Sequence, residues 1–498
     1  MLTKNLKQNI KTIQNIFHNS QDLIVREFVS FEKINSAIIY LDGSVDKQFL
    51  ISGVVNPLQK SNLPKNEIIA DYATKQIVAF AQVKTETDLN TITTELNNGF
   101  CVVLFENSEK ATCVDSTKWP VRAVSEPPTS AVISGPREGF VEDVLTNVSL
   151  LRKRLKNPNV IFEKMEVGKY SKTQIRLCYI SGIADPQIVQ KIRTKINQIQ
   201  IDGIIDSSYV ATFLEDGRHT IFRQVGSAEK PDIIASKVLE GRVAIIVDGS
   251  PIVLTLPFLL IEDFQNSNDY YSTSISASFL RWLRFFGATL AIILPGCYVA
   301  VMLYHYKLIP IKLLISIANS IQGIPLSPFL EILFIIFLFE MLYEASLRMP
   351  RYLGLALSVV GALILGDTAV KAGLISPPAV MIVALTGVMS YTVPNQSVQI
   401  SILRIIFTIL GGVLGLYGII VGGLFLVGYL CSIENYTAPY LAPFGPFIKQ
   451  DQKDSFFKKP LTSQVYRPQS FSNKNKKRLK KWKKFLHINL YFYPYFCF

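Results

Sequence analysis

The sequence predicts an α/β N-terminal half of two subdomains on the cytosolic side, then a transmembrane domain of about five helices and a basic C-terminal tail. Its 498 residues exceed what one hydrophobic core normally supports. Apolar residues crowd between Phe285 and Cys431, so two regions of different solvent preference follow each other along the chain. The expected regions are 1–130 and 131–275 (two soluble subdomains), 276–435 (the helices) and 436–498 (the tail).

The net charge of +13 is concentrated in the tail. Between residues 449 and 498, thirteen Lys or Arg side chains stand against Asp451 and Asp454, which gives +11 for that segment alone. Basic charge beside a membrane segment is attracted to anionic lipid headgroups. We therefore expect membrane lipids, and no nucleic acid, among the partners.

The sequence carries no signature of catalysis. Phosphate-binding loops, nucleophile elbows and dinucleotide fingerprints are absent, so we expect no enzyme and no cofactor. The six cysteines form no CxxC pair and no histidine lies at ligand spacing, which predicts reduced thiols and no metal site. The segment 1–17 lacks the apolar run and cleavage site of a signal peptide, so the first half is expected in the cytosol.

The first half alternates apolar runs with turn-rich segments. Residues 1–30 are predicted as a helix and 51–67 as a connecting segment, because the latter is rich in Pro, Gly, Ser and Asn. The Pro-, Ser- and Gly-rich stretch 124–140 marks the subdomain boundary. Further predicted elements are strands at 36–43, 100–106 and 173–182, helices at 140–155 and 185–199, and a hairpin within 241–257 turning at Asp248–Gly249.

The segment SGPREGFVED (134–143) concentrates charge around two glycines. Arg137 and Glu138 are candidates for a contact between subunits or subdomains, because a plain turn needs no such charge. The alternative is an ordinary loop that leads into a helix.

Five apolar segments are candidate membrane spans: Phe285–Tyr304, Pro328–Tyr343, Leu353–Gly373, Pro378–Val393 and Ile405–Cys431. A bilayer core needs roughly 20 apolar residues of helix, so the second and fourth are short. Leu308–Ile324 carries Lys312 and suits an interfacial or re-entrant position. Arginines precede the first span and follow the second, and they and the basic tail all belong inside. Five crossings cannot satisfy this, so either one short segment fails to span or Leu308–Ile324 crosses as a sixth.

Several long runs resemble the A subunit of bacterial spore germinant receptors, in matching order over about residues 30–460. The runs are 134–155, 201–210, 229–271, 344–386 and 439–447. The stretch 476–498 departs from the family because it ends in an aromatic extension, either a lineage-specific addition or a read-through after a frameshift.

The resemblance implies a multi-pass protein of the dormant spore's inner membrane with its N-terminal domain on the core side. It implies two partners, a transporter-like B subunit regarded as the nutrient-binding part and a lipoprotein C subunit. It also implies a homo-oligomeric A subunit that forms an ion channel, responds to nutrients and triggers germination. Two other functions stay open, a non-conducting scaffold that gathers the partner subunits and a secondary transporter. The sequence shows no internal repeat of the kind that transporters usually carry.

One face of the predicted helix 353–373 is small or polar except at Leu365. Its residues recur at steps of four and three and are Gly354, Ser358, Gly361, Leu365, Thr368 and Ala372. Such a stripe lets helices pack closely. The alternative is a pore lining in which a ring of Leu365 side chains repels water and closes the channel.

Five charged residues fall within the apolar region, where a central charge costs roughly 2.5–3.5 kcal/mol. They are Glu331, Glu340, Glu344, Asp367 and Lys371. Asp367 and Lys371 are four residues apart and are expected to pair, and Glu340 and Glu344 share one helix face. The charges either neutralise each other or leave the glutamates facing a hydrated vestibule that favours cations.

Overall fold

A computed structural model of the protein describes residues 1–62, 68–78, 80–119, 135–215, 220–348 and 366–479. Two antiparallel sheets of five strands each make up the first half of these ranges, and helices dominate the second half. The sheets fall within residues 23–114 and 160–256.

The first sheet has the strand order β1-β2-β4-β5-β3. Its strands are β1 (Leu23–Ser30), β2 (Ile34–Leu41), β3 (Val83–Glu86), β4 (Cys101–Phe105) and β5 (Ala111–Val114). Its helices are α1 (Leu6–Ile16), α2 (Lys47–Leu50), α3 (Asn56–Lys60), α4 (Ile69–Tyr72) and α5 (Leu89–Asn98), with π-helical turns at Ile51–Val55 and Ala73–Ile77. Helices α1 and α5 cover one face of the sheet, and α2, α3 and α4 cover the other.

Two sequence predictions are wrong here. Residues 1–30 are not one helix, because α1 ends where His18 and Asn19 take positive φ angles, and β1 follows. The segment 51–67 is helical as far as Lys60, because Pro57 lies in the first turn of α3, where its missing N–H costs no hydrogen bond. Gly53 in that segment packs against Phe80, whose ring would lie 2.7 Å from an added Cβ.

The second sheet has the order β6-β7-β9-β10-β8. Its strands are β6 (Val160–Val167), β7 (Thr173–Ile180), β8 (Gly226–Ala228), β9 (Val243–Val247) and β10 (Val253–Leu256). Its helices are α6 (Val144–Arg154), α7 (Pro186–Asn197), α8 (Ser207–Leu214) and α9 (Pro231–Glu240). The predicted hairpin is confirmed, since β9 pairs with β10 and Gly249 has a φ of 82° in the connecting turn.

The two sheets share one topology, since each places its strands in the order first, second, fourth, fifth, third. A helix precedes the first strand in both cases, and an Asp caps the helix that follows the second strand, Asp46 in one and Asp185 in the other. A glycine with positive φ ends the helix before the fourth strand, Gly99 in one and Gly241 in the other. The soluble half is therefore a structural repeat.

The described helices of the second half begin with α10 (Ser267–Tyr271), α11 (Ser274–Tyr304), α12 (Ile311–Ile321) and α13 (Pro328–Arg348). They continue with α14 (Ala369–Lys371), α15 (Pro377–Ser390) and α16 (Ser397–Ser432). By length and composition, two segments suffice to cross a membrane, Ser274–Tyr304 and Pro394–Ser432.

Helix α16 is broken at Gly415, whose φ of 66° and ψ of −153° lie outside the helical region. The two arms pack against each other, because an added Cβ on Gly422 would lie 2.6 Å from Leu410. Both ends of α16 lie beside the soluble half, since Gln396 donates a 2.6 Å hydrogen bond to Asp263 and Ile433 shares a core with Phe258. The break itself lies beside Tyr304, at the end of α11. The single span expected at Ile405–Cys431 is therefore wrong, and the glycine's positive φ is the reason.

The segment after α16 folds back onto the second sheet. Strands β11 (Glu434–Asn435) and β12 (Ala438–Pro439) pair with each other, and Tyr436 enters the core beneath α7 and α8. Farther along, Arg467 Nε donates a 2.8 Å hydrogen bond to the carbonyl of Leu239. The described part of the basic tail is thus attached to the second sheet and its helices.

Candidate functional site

The face proposed from sequence as a pore lining lies mostly outside the described residues. Gly354, Ser358, Gly361 and Leu365 fall in the gap between residues 348 and 366. Thr368 and Ala372 are described, and both are exposed on either side of α14.

Glu331 is fully buried among the helices. Its Oε1 accepts a hydrogen bond from the backbone N–H of Ser376, which caps α15, whereas its Oε2 has no hydrogen-bond partner among the described residues. A carboxylate in this setting is costly, because burial removes its hydration. Glu331 is therefore one of the candidate charges whose cost the described contacts offset only in part.

Glu340 pairs with Arg404, a residue that sequence reasoning missed. Arg404 is 2% exposed on α16 and also lies 3.5 Å from the Thr386 hydroxyl, so the cluster ties three helices together. Arg404 could have been found, because it is the sole charged residue in the sequence of α16. A lone arginine on a long apolar helix requires an acidic partner on a neighbouring helix.

The remaining candidate charges form local pairs at the surface. Lys371 Nζ lies 2.6 Å from Asp367, which confirms the predicted pair, and Arg348 lies 2.6 Å from Glu344. Both pairs are four residues apart on one helix face. Glu340 and Glu344 therefore have separate cationic partners and do not form a shared acidic face.

Glu138 contacts its own chain. Its carboxylate lies 3.0 Å from Lys153 and 2.6 Å from Arg154, both on α6. Arg137 is exposed beside it. The part these two residues play in contacts with another subunit stays a prediction.

A buried ionic cluster joins the soluble half to α11. Arg281 Nε lies 2.9 Å from Asp269 on α10, and its Nη1 lies 2.7 Å from Asp454 in the tail. Arg284 also pairs with Asp269. Tyr270 donates a 3.0 Å hydrogen bond to Asp454, and burial with that carboxylate nearby raises the pKa of the Tyr270 hydroxyl.

A second cluster joins the soluble half to α16. Asp263 accepts hydrogen bonds of 2.6 Å from Arg223 and from Gln396, the residue before α16. Burial raises the pKa of Asp263 despite the nearby Arg223 guanidinium. Sequence reasoning assigned Arg281 and Arg284 to the membrane boundary but missed both clusters, because their acidic partners lie on distant segments.

These two clusters can transmit movement between the soluble half and the helices, since each fixes a helix start to the second sheet. Across the ranges that the structure describes, no three His, Cys, Asp or Glu side chains are grouped so as to hold a metal ion. The arrangement is thus mechanical and electrostatic in character.

Comparisons with known proteins identify the family. The family model "Bacillus/Clostridium GerA spore germination protein" matches residues 11–470. Spore germination protein KA of Bacillus subtilis (strain 168) is 35% identical over 96% of this chain and 89% of that protein. Spore germination protein GerLA of Bacillus cereus is 31% identical over 95% of this chain and 97% of that protein.

One solved structure is also similar, the N-terminal domain of the A subunit of the Bacillus megaterium spore germinant receptor GerK3. It is 29% identical, with a TM-score of 0.42, over 52% of this chain and 97% of that one. The match to the family model covers most of the sequence, from the first helix to the folded tail. The chain belongs to the Bacillus/Clostridium GerA family of spore germination proteins.

Proposed function

We propose that this protein is the membrane-embedded A-type subunit of a nutrient-responsive spore germinant receptor. The observation that carries this proposal is the family match over residues 11–470, which includes the soluble half, the helices and the folded tail. The relatives named for spore germination cover nearly the whole chain, so the proposal applies to the full length of the protein. The expected partners are a transporter-like B subunit and a lipoprotein C subunit in the spore's inner membrane.

We further propose six membrane passes. These are α11, α13, the segment between residues 349 and 373, α15 and the two arms of α16. Support comes from the contacts at the helix ends: Phe329 and Tyr304 lie beside Gly412, whereas Tyr343 contacts Tyr391 at the opposite end of α13. Six passes would keep the arginines at 281 and 348 and the basic tail on one side, as the positive-inside tendency favours.

The proposed activity is ion conduction by a closed ring of these subunits, with the face of residues 354–372 toward the axis. The exposed apolar side chains on the helices support association with lipid or with other subunits, among them Phe337, Val413 and Phe425. The buried carboxylate of Glu331 supports a hydrated route nearby, because intramembrane ionisable groups commonly mark ion pathways. A ring is needed because a channel on a central axis requires symmetry.

Conductance of the purified chain in liposomes, alone and together with its B and C subunits, tests this activity. Thr368→Leu adds apolar bulk on the proposed pore face and is expected to reduce conductance. Thr289→Leu makes the same change on α11, outside that face, and is the matched control. Conductance that Thr368→Leu leaves unchanged would contradict the face assignment. Silence of the chain both alone and with its partners would contradict the channel and leave the scaffold function.

A further inference from the structure

A polar pocket lies between the second sheet and the folded tail, outside the helices. It is bounded by the end of α9 and the start of β9, by the turn at Leu260–Phe264, and by the segment 443–478. Its empty volume is about 690 Å³ with the open mouth included. Pockets for small molecules in proteins commonly enclose about 300–1,000 Å³.

Several charges on the wall of this pocket are already neutralised. Glu262 pairs with Lys237 at 2.7 Å and with Arg242. Asp451 accepts hydrogen bonds of 2.7–3.0 Å from the backbone N–H groups of Gln469 and Ser470. Asp454, which also lines the pocket, is held by Arg281 as described above. These acids are therefore structural.

Glu240 differs from them, because its carboxylate has only long ion pairs. Its oxygens lie 3.7 Å from Arg478 Nη1 and 3.8 Å from Arg242 Nη2, beyond hydrogen-bond distance. Burial raises the pKa of Glu240 even though both guanidinium groups oppose this. The Glu240 carboxylate is thus incompletely compensated at the pocket wall.

Arg242 gives a second, independent indication. Its side chain is 4% exposed, lies over the Phe471 ring and has an Nε with no hydrogen-bond partner among the described residues. Buried polar groups are normally hydrogen-bonded, and an orphaned guanidinium N–H is costly. Arg478 and Lys453 add two more cationic side chains at the pocket, and Leu259, Ile261 and Val465 supply apolar wall.

From this arrangement we propose that the pocket binds a small zwitterion with an apolar side chain. Its ammonium group would contact Glu240, and its carboxylate would contact Arg478 and Lys453. A ligand with one charge only would leave either the acidic or the basic side without a partner, so both charges are required. The site rests on side-chain geometry and not on the proposed channel.

Such a ligand would bind beside the ionic cluster that holds α11. Asp454 lines the pocket and also accepts from Arg281 and Tyr270, so an occupant would touch the tail segment that fixes the start of that helix. The pocket is therefore placed to influence the position of α11.

Binding to the full-length chain purified in detergent tests the proposal, by calorimetry and by the midpoint of thermal unfolding. The probes are leucine, 4-methylpentanoate, which lacks the amine, and 3-methylbutylamine, which lacks the carboxylate. Leucine is expected to bind at least about tenfold more tightly than either, since each buried charged contact contributes about 1.4 kcal/mol or more. Ionic strength is matched with sodium chloride.

Glu240→Gln and Arg478→Gln are each expected to weaken leucine binding at least about tenfold. Lys476→Gln removes a neighbouring positive charge that does not line the pocket, so it is expected to leave binding unchanged. Equal binding of all three probes, no binding of leucine, or variants that bind like the wild type would each overturn the proposal. Because the assay needs neither partners nor conductance, a failure of the channel proposal would not affect its result.

Discussion

Arg152 on α6 donates two hydrogen bonds, of 2.8 and 2.9 Å, to the carboxylate of Asp22, which lies 130 residues earlier in the chain. Both side chains are buried, at 0% and 3% exposure. The Arg152 guanidinium also donates to the carbonyl of Val160, so its charge is enclosed by partners from both sheets' regions. This pair joins the two repeats of the soluble half.

Asp22→Ala is expected to destabilise the soluble half by about 3–5 kcal/mol, because it leaves the Arg152 charge buried without its partner. The measurement is urea unfolding of residues 1–270, followed by circular dichroism. Glu95→Ala is the control, since it breaks a surface pair with Lys84 and should cost about 1 kcal/mol or less. Equal losses in the two variants would show that the buried pair has no special role.

Arg137→Glu is expected to reduce assembly of the receptor complex while the soluble half stays folded, because this exposed charge lies in the segment proposed as a subunit contact. Glu138→Gln, by contrast, breaks half-exposed pairs with α6 and should cost about 1 kcal/mol or less. Co-purification with the partner subunits measures assembly. Normal recovery of the complex with Arg137→Glu would reduce Arg137 to a loop residue.

The raised pKa of Glu240 predicts a pH dependence of stability. The folded protein holds this proton more tightly than the unfolded chain, whose carboxyl titrates near 4.5. The contribution of Glu240 is therefore constant well below that pH and becomes less favourable as pH rises through the folded pKa. Glu240→Gln should raise the unfolding midpoint at about pH 7 and leave it nearly unchanged at about pH 4. A variant that lowers the midpoint at pH 7 would contradict this.

Leu365→Ala is expected to cause ion leak and germination without nutrient, because a ring of smaller side chains would let water enter the constriction. Leu365→Phe should keep the channel shut. If the face only packs against another helix, the alanine variant would create a cavity and lower the amount of protein instead. Subunit level and ion release are measured in the same spores, and reduced level without spontaneous release would count against the gate.

Local patterns in the sequence were enough to predict several elements. The apolar runs at 36–43 and 100–106 are strands β2 and β4, and the Asp248–Gly249 turn joins a real hairpin. The repeat was missed, although the glycine before β4 and the glycine before β9 occupy equivalent places. The repeat lies in strand order and caps, and these leave little similarity between the two sequences.

The candidate site was harder to predict, because its pairs join distant segments. Asp367 and Lys371 could be paired from their spacing alone, whereas Glu340 and Arg404 are 64 residues apart. The pocket beside Glu240 was missed for the same reason, since its wall combines α9 with residues beyond 440. The tail was interpreted from its charge alone, which gives no indication that Tyr436 completes a core.

The return of the tail to the second sheet has a consequence for topology. Because Tyr436 and Arg467 pack on the same subdomain that precedes α11, the residues before and after the helices must share one compartment. Any bilayer between them is crossed an even number of times, and the reversal at Gly415 adds the pass that turns an odd number of apolar segments into an even one. A protease confined to one side of the membrane would therefore reach both the soluble half and the tail, or neither.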